Sequence, residues 1–235
     1  SMIFSVVIPC YNEAATLPLL VERCREVVGQ SPYELEFILV DNGSTDNTHL
    51  ILKEMLTATS GCRFIRLKVN QGYGRGILAG LATARGDILG WTHADMQTDP
   101  GDVLKAMPYF GKDSEQVFVK GRRFGRPVTD VAFTICMSIF ETFYLGCRMW
   151  DINAQPNLFH RSFFESWQNP PHDFALDLFV YVEARSKNLD VFRFPVKFGN
   201  RLHGISNWNV DWPSKLKFIR RTIEFSREVK LRSHR

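Results

Sequence analysis

Apolar residues fall into short runs separated by polar, turn-forming clusters, and the spacing alternates between strand-like and helix-like periods. Phe4-Ser5-Val6-Val7-Ile8 is a β-branched run that predicts a first strand, ended by Pro9-Cys10-Tyr11-Asn12-Glu13. Thr16 starts a helix with Leu17, Leu19, Leu20 and Val21 on its apolar side. Leu35 to Val40 reads as a second strand, followed by the turn-rich Asp41-Asn42-Gly43-Ser44-Thr45-Asp46, which caps a second helix reaching Leu56. Cys62 to Leu67 is a third strand. It leads into Asn70-Gln71-Gly72-Tyr73-Gly74-Arg75-Gly76 and a third helix, and Ile88, Leu89 and Trp91 form a short fourth strand. Strand and helix in strict alternation imply right-handed crossovers: an α/β chain with a mostly parallel central sheet flanked by helices, and ligand groups at the strand C-termini.

Those C-termini carry polar chemistry. After the fourth strand comes His93-Ala94-Asp95-Met96-Gln97, and Asp99-Pro100 then breaks the chain, with Asp99 expected as the N-cap of the next helix. If the segment stays extended, His93, Asp95 and Gln97 project to one side and Ala94 and Met96 to the other. An imidazole, a carboxylate and an amide on one side can hold a divalent cation that itself holds phosphates. Tyr11 and Glu13 follow the first strand, and Asp41, Ser44 and Asp46 the second. Taken singly, Asp41 and Asp46 would only cap turns. The glycine loop at Gly72 to Gly76 precedes a helix N-terminus, which can receive anionic oxygen, although it lacks the Walker spacing. All four loops are expected to converge on one sheet edge.

The second half is less regular. Gln116 to Gly121 predicts a strand, and Lys120-Gly121-Arg122-Arg123-Phe124-Gly125-Arg126-Pro127 reads as a basic turn suited to a phosphate-rich ligand or an anionic surface. Val128 to Trp150 is apolar but interrupted by Asp130 and Glu141, short of the roughly 18 uncharged residues of a membrane span. It reads as an amphipathic helix at a membrane surface or over the active site, or else as an internal core or dimer helix. Asp173 opens a helix through Lys187, where it can be the N-cap, and Val191 to Val196 is a late strand. From Pro213 a final helix carries Lys215, Lys217, Arg220, Arg221 and Arg227, a basic face that can touch an anionic bilayer.

Composition narrows the classes. The 235 residues are ample for a buried core, and 45% hydrophobic with 23% charged residues excludes global disorder. A net charge of +4 gives no reason to expect nucleic acid. Cys10, Cys24, Cys62, Cys136 and Cys147 are odd in number, scattered and without a CxxC pair, which points to a reducing, cytoplasmic compartment rather than disulfides or a zinc ribbon. The first apolar run is too short, and lacks the basic leader, for a signal peptide, and Ser1-Met2 reads as a tag remnant before the start.

VVIPCYNE, FILVDNGSTDNT and NQGYGRGILAGLATARGDILGWTHADMQTDP together resemble the nucleotide-sugar-binding half of inverting family 2 glycosyltransferases of the GT-A fold, most closely the polyprenyl-phosphate sugar transferases. The resemblance implies a single domain over 1–235, with 1–100 binding the nucleotide-sugar donor and 101–235 the acceptor. It implies that Pro9, Tyr11, Glu13 and Asp41 hold base and ribose, with Ser44, Gly72, Gly74 and Ala94 completing the set. Asp95 would be the last residue of the D-x-D motif, contacting a Mn²⁺ or Mg²⁺ ion, and Gln97 a further ligand. Arg123 would face an acceptor phosphate. Arg201-Leu202-His203-Gly204-Ile205-Ser206-Asn207 resembles the R-x-x-G-x-S-K loop over the donor diphosphate, so Arg201, His203 and Ser206 would stabilise the leaving group.

Two departures bear on function. His93 stands where the family has its first D-x-D aspartate, which suits Mn²⁺ better than Mg²⁺, or leaves Asp95 to carry the metal, or weakens the site. The second arginine that lipid-phosphate relatives often carry in the apolar segment is missing between Val128 and Cys147. The expectation is transfer of a sugar to a polyprenyl phosphate by an enzyme peripheral on the cytoplasmic face of the membrane, able to form a homo-oligomer. The alternatives are a saccharide hydroxyl acceptor with Asp173 as base, or a nucleotide-binding protein without activity. A nucleotidyltransferase would need a glycine-rich basic loop after the first strand, which PCYNEAATL is not.

Overall fold

The computed structural model describes residues 1–56, 61–126, 128–145, 149–199 and 212–233. The first half alternates as expected: β1 (Ile3–Cys10), α1 (Leu17–Gln30), β2 (Glu34–Asn42), α2 (Thr48–Met55), β3 (Cys62–Leu67), α3 (Tyr73–Thr83) and β4 (Ile88–Trp91). After it come α4 (Asp102–Ala106), β5 (Val117–Phe124), α5 (Val128–Leu145), β6 (Asn157–His160), α6 (Arg161–Glu165), α7 (Leu176–Ser186), β7 (Asp190–Lys197) and α8 (Trp212–Ser233).

The described residues form a seven-stranded sheet in the order β3-β2-β1-β4-β6-β5-β7. β1 to β4 pair in parallel, β6 runs antiparallel to both β4 and β5, and β5 pairs in parallel with β7. β5 and β7 therefore end at the same edge as β1, β2 and β4, and β6 begins there. Cys10 lies opposite Asp41, which sets the first two loops side by side. The period of two along β1 sends Phe4, Val6 and Ile8 into one apolar layer and Val7 into the other, so both sheet faces are covered. α1 closes the first layer with Leu17, Leu20, Val21, Cys24 and Val27, an apolar stripe at helical spacing.

Three expectations change. The extended run after Trp91 does not continue: β4 stops there, and Met96 adopts a left-handed φ of 60°. Asp99 does not cap the helix: α4 starts at Asp102 with Gly101 as N-cap, while Asp99 accepts from the Gly101 amide and pairs with Arg23. The basic stretch from Lys120 to Phe124 is strand rather than turn, because β7 pairs along all of it and β6 reaches Lys120.

α5 is long and apolar enough to cross a membrane by length and composition, with only 11% of it buried. One of its acids, Glu141, is fully buried against α8. The Ser226 hydroxyl lies 2.8 Å from Glu141 Oε2 and 2.7 Å from the Thr222 carbonyl oxygen. One hydroxyl proton serves one of these, and a protonated carboxyl supplies the other. Burial pushes the Glu141 carboxyl up to about 7, against the hydrogen bond from Ser226. A carboxyl raised above its unfolded value contributes stability that is complete below the unfolded pKa of about 4.3 and is lost as pH rises through the folded value. The wild-type chain is thus expected to lose stability between about pH 4.5 and 7 relative to Glu141→Gln, by up to ~3 kcal/mol. Urea unfolding of both proteins across that range reads the difference, and parallel curves would remove Glu141 as the cause.

Candidate active site

The converging loops enclose a cavity of about 530 Å³. One wall is the end of β1, with Pro9, Tyr11 and Glu13, and the floor beside it is His93, Ala94, Asp95 and Gln97 after β4. These three candidate ligands meet through a tight turn and not through strand alternation. Asp95 Oδ1 accepts the Gln97 amide at 3.0 Å, and Gln97 is tied to the segment after β7, its carbonyl accepting the Gly199 amide at 2.8 Å. Burial pushes the His93 imidazole below its ordinary value, although Asp95 and Asp177 pull the other way, so it is neutral near pH 7 and a competent ligand. A neutral imidazole, one carboxylate and one amide fit a borderline cation such as Mn²⁺ better than Mg²⁺. Among the described residues no group of three His, Cys, Asp or Glu side chains is placed to hold a metal, so the Gln97 amide would be needed to make up a third protein ligand here.

A second wall, from β5, α5 and α8, is cationic and apolar. Arg123, at the end of β5, donates its backbone amide and its Nε to the two Asp151 carboxylate oxygens, each at 2.9 Å. Burial alone would push Asp151 up, but the Arg123 charge and hydrogen bonds hold it below the usual carboxylate range. Arg126 also faces Asp151, at 3.8 Å, and donates to Thr134 Oγ1 on α5 at 2.8 Å, while its buried Nε has no hydrogen-bond partner. Asp130, Phe133, Met137 and Ser138 of α5 continue this wall, and α8 adds Lys215, Phe218 and Thr222.

Other expected residues lie elsewhere. Asp41 is fully buried outside the cavity lining; its Oδ1 accepts the Ser44 amide at 3.0 Å, and its Oδ2 faces His49 and Arg66 at 3.7 and 3.6 Å. Ser44 Oγ accepts the Asn12 amide and joins the first two loops. Gly72 and Gly74 do not open onto the cavity. A Cβ on Gly72 would lie 2.4 Å from the His172 carbonyl, and one on Gly74 2.6 Å from those of Pro171 and Asp173. The Arg75 amide already donates to His172, so the start of α3 holds backbone rather than an anion. Asp173 is also outside the lining: Oδ1 accepts the Ala175 amide and Oδ2 pairs with Arg221. Arg201, His203 and Ser206 lie outside the described residues.

Sequence reading gave no separate role to three residues that face the cavity: Tyr73 inside the glycine loop, Arg126 within the basic stretch, and Asp177 in the first turn of α7. Only Arg126 carried a signal, as one of the closely spaced cations.

Residues 5–168 match the sequence model of the family described as Glycosyl transferase family 2. The chain is similar to undecaprenyl-phosphate 4-deoxy-4-formamido-L-arabinose transferases: 39% identical over 101 residues to that of Pseudomonas fluorescens, and 40% over 101 residues to that of Proteus mirabilis. Each match covers 42% of this chain but only 29% and 31% of the relatives' length. In fold it is similar to glucosyl-3-phosphoglycerate synthase of Mycobacterium tuberculosis. A structure of that protein with phosphoglyceric acid superposes with a TM-score of 0.73 at 21% identity, covering 97% of this chain and 80% of that one. A second, with Mn²⁺, UDP and glucosyl-3-phosphoglycerate, gives 0.70 at 21% identity, covering 95% and 78%. The expected GT-A architecture is the one found.

Proposed function

The chain belongs to glycosyl transferase family 2, and from that premise we propose that it moves a sugar, with inversion, from a nucleoside-diphosphate sugar to a polyprenyl phosphate at the inner membrane face. The observation that carries this reading is that Arg123 and Arg126 line the same cavity as the His93-Asp95-Gln97 turn. Arg126, anchored on Thr134 of α5, offers the second guanidinium that the α5 sequence lacks.

In this reading Pro9, Tyr11 and Glu13 receive the nucleoside, and Asp41 and Ser44 support them by fixing the second loop. Asp95, with His93 and Gln97, would hold a divalent cation, which supplies charge neutralisation to the leaving diphosphate. Arg201, His203 and Ser206 would add to it. Arg123 and Arg126 hold the acceptor phosphate and aim one oxygen at the anomeric carbon. That oxygen is already ionised, so no base is needed, and positioning with electrostatic stabilisation supplies the rate. The apolar side chains of Phe133, Met137 and Phe218 suit the first isoprene units. Exposed Val128, Ile139 and Phe143 on α5, beside the basic α8, suit peripheral contact with an anionic bilayer. The undecaprenyl-phosphate relatives support the same acceptor class.

The test supplies undecaprenyl phosphate in detergent, a set of saccharide acceptors, and radiolabelled UDP-, GDP- and dTDP-sugars with Mn²⁺. Label in the lipid fraction supports the proposal; label in saccharide alone overturns it. Asp173→Asn, which keeps the acceptor for the Ala175 amide and loses the ion pair with Arg221, is expected to lower lipid transfer less than tenfold. A loss of several orders of magnitude would restore Asp173 as a base.

A further inference from the structure

Asp177 is 5% exposed and lines the cavity from the first turn of α7. Its Oδ1 accepts the Gln155 side-chain amide at 3.0 Å and that of Asn157 at 3.3 Å. The same Gln155 nitrogen lies 3.1 Å from the Tyr73 hydroxyl, and the Gln155 oxygen accepts from Asn157 at 3.0 Å. Beneath them Lys120, fully buried, donates to Asn157 Oδ1 at 2.8 Å and to the Ala154 carbonyl at 2.7 Å. A lysine ammonium only donates, so the Asn157 oxygen must face Lys120 and its NH₂ must face Asp177 and Gln155. One buried cation thereby fixes the orientation of two amides and, through them, of one carboxylate.

This network does no work in the reading above, and building it costs burial of both an ammonium and a carboxylate. Desolvation pushes Lys120 down to about 7, against the pull of Asp177. The chemistry of the reactants narrows what Asp177 meets. Phosphate oxygens repel a carboxylate, and the nucleoside lies at the β1 wall. The hydroxyl-rich part of a nucleoside-diphosphate sugar is the glycosyl group, which must sit between the His93-Asp95-Gln97 turn and Arg123. Asp177 lines the same cavity as both and, with Asp95, Arg123 and Lys120, is one of the charges acting on His93.

Resting on the transferase reading, we infer that Asp177 accepts hydrogen bonds from hydroxyls of the transferred sugar, with Tyr73, Gln155, Asn157 and Lys120 as the residues that position it. A site built to bond a hydroxyl discriminates strongly against a sugar lacking it, because its buried acceptor is then left unpaired. Asp177 is therefore a specificity determinant for the donor sugar, separate from the nucleotide and acceptor contacts.

Calorimetry with Mn²⁺ tests this with UDP, GDP and dTDP, their glucose, mannose, arabinose and rhamnose conjugates, and deoxy analogues of the best conjugate. In the wild-type chain one conjugate is expected to bind at least tenfold tighter than its free diphosphate. Asp177→Asn is expected to remove that increment while leaving the diphosphate affinity within twofold, and the deoxy analogue that weakens wild-type binding should cost the variant nothing further. Tyr73→Phe, which keeps the carboxylate and loosens its setting, should remove part of the increment and replaces Asp177→Asn if that variant does not fold. An increment kept in full by the variants, or no increment with any sugar, overturns the assignment. Failure of every diphosphate to bind the wild-type chain instead overturns the transferase reading on which it rests.

Discussion

Replacing Arg123 by methionine is expected to lower kcat/KM for a polyprenyl-phosphate acceptor by about 10²–10³-fold, the usual cost of removing one charged donor from a transition state. Nucleotide affinity should change little, because Arg123 lies at the end of β5 and is bonded to Asp151 rather than to the β1 loop that carries Tyr11 and Glu13. Two effects combine in this variant. The acceptor phosphate loses a guanidinium, and Asp151, 1% exposed, loses the partner that holds it ionised. The second effect appears as lower stability, so Arg123→Lys separates them: it keeps a charge near Asp151 but loses the fork geometry. Arg123→Met, Arg126→Met and the double variant form a cycle in which the double loss should fall short of the product of the singles, since both arginines serve one phosphate and one carboxylate. Steady-state kinetics with varied acceptor reads each corner. A loss below tenfold at Arg123 would place the acceptor elsewhere.

Gly90→Ala is expected to be among the most damaging single methyls at the described residues, costing about 3 kcal/mol or more. A Cβ at Gly90 would lie 2.1 Å from the Asn157 carbonyl oxygen and 2.9 Å from Leu158 Cγ. Gly90 is buried in β4, paired with Leu158 of β6, where backbone cannot move without unpairing the sheet. The displaced residue is Asn157, so the damage reaches Lys120 and Asp177 as well. Urea unfolding should show the stability loss, and sugar-nucleotide affinity should fall with it. Wild-type stability with normal affinity would contradict this packing account.

The first, second and fourth strands were legible because each is a short, mostly apolar run covered on both faces, such as Phe37 to Val40, while the edge strand β3 keeps enough apolar residues, Cys62, Phe64, Ile65 and Leu67, to show despite its arginines. The basic stretch from Lys120 was misread as turn because a strand rich in Lys and Arg has no local apolar signature. Its pairing with β6 and β7, and the carbonyl and amide that take up Lys120, are tertiary facts. Glycine is ambiguous by nature: the missing Cβ at Gly72 and Gly74 admits a phosphate or a carbonyl equally well, and here it admits the carbonyls of 171–173. The same limit applies to carboxylates near a helix start. Asp173 and Asp177 are both acids at the head of α7, and only packing decides that the first turns to Arg221 and the second into the cavity. His93, Asp95 and Gln97 all line the cavity, but from a turn rather than an extended run, so their nearness in sequence was legible and their geometry was not.

The central claim is that the cavity holds a nucleoside diphosphate against a cation at the His93-Asp95-Gln97 turn. Thermal unfolding with UDP, GDP, dTDP and CDP, with and without Mn²⁺, tests it directly on the wild-type chain and on Asp95→Asn. Binding to the folded state alone adds about 2.7 kcal/mol at a hundredfold excess over Kd. One nucleotide should raise the unfolding temperature, Mn²⁺ should enlarge the rise, and Asp95→Asn should abolish the enlargement. No rise with any nucleotide, or a Mn²⁺ effect that Asp95→Asn leaves unchanged, would contradict the account.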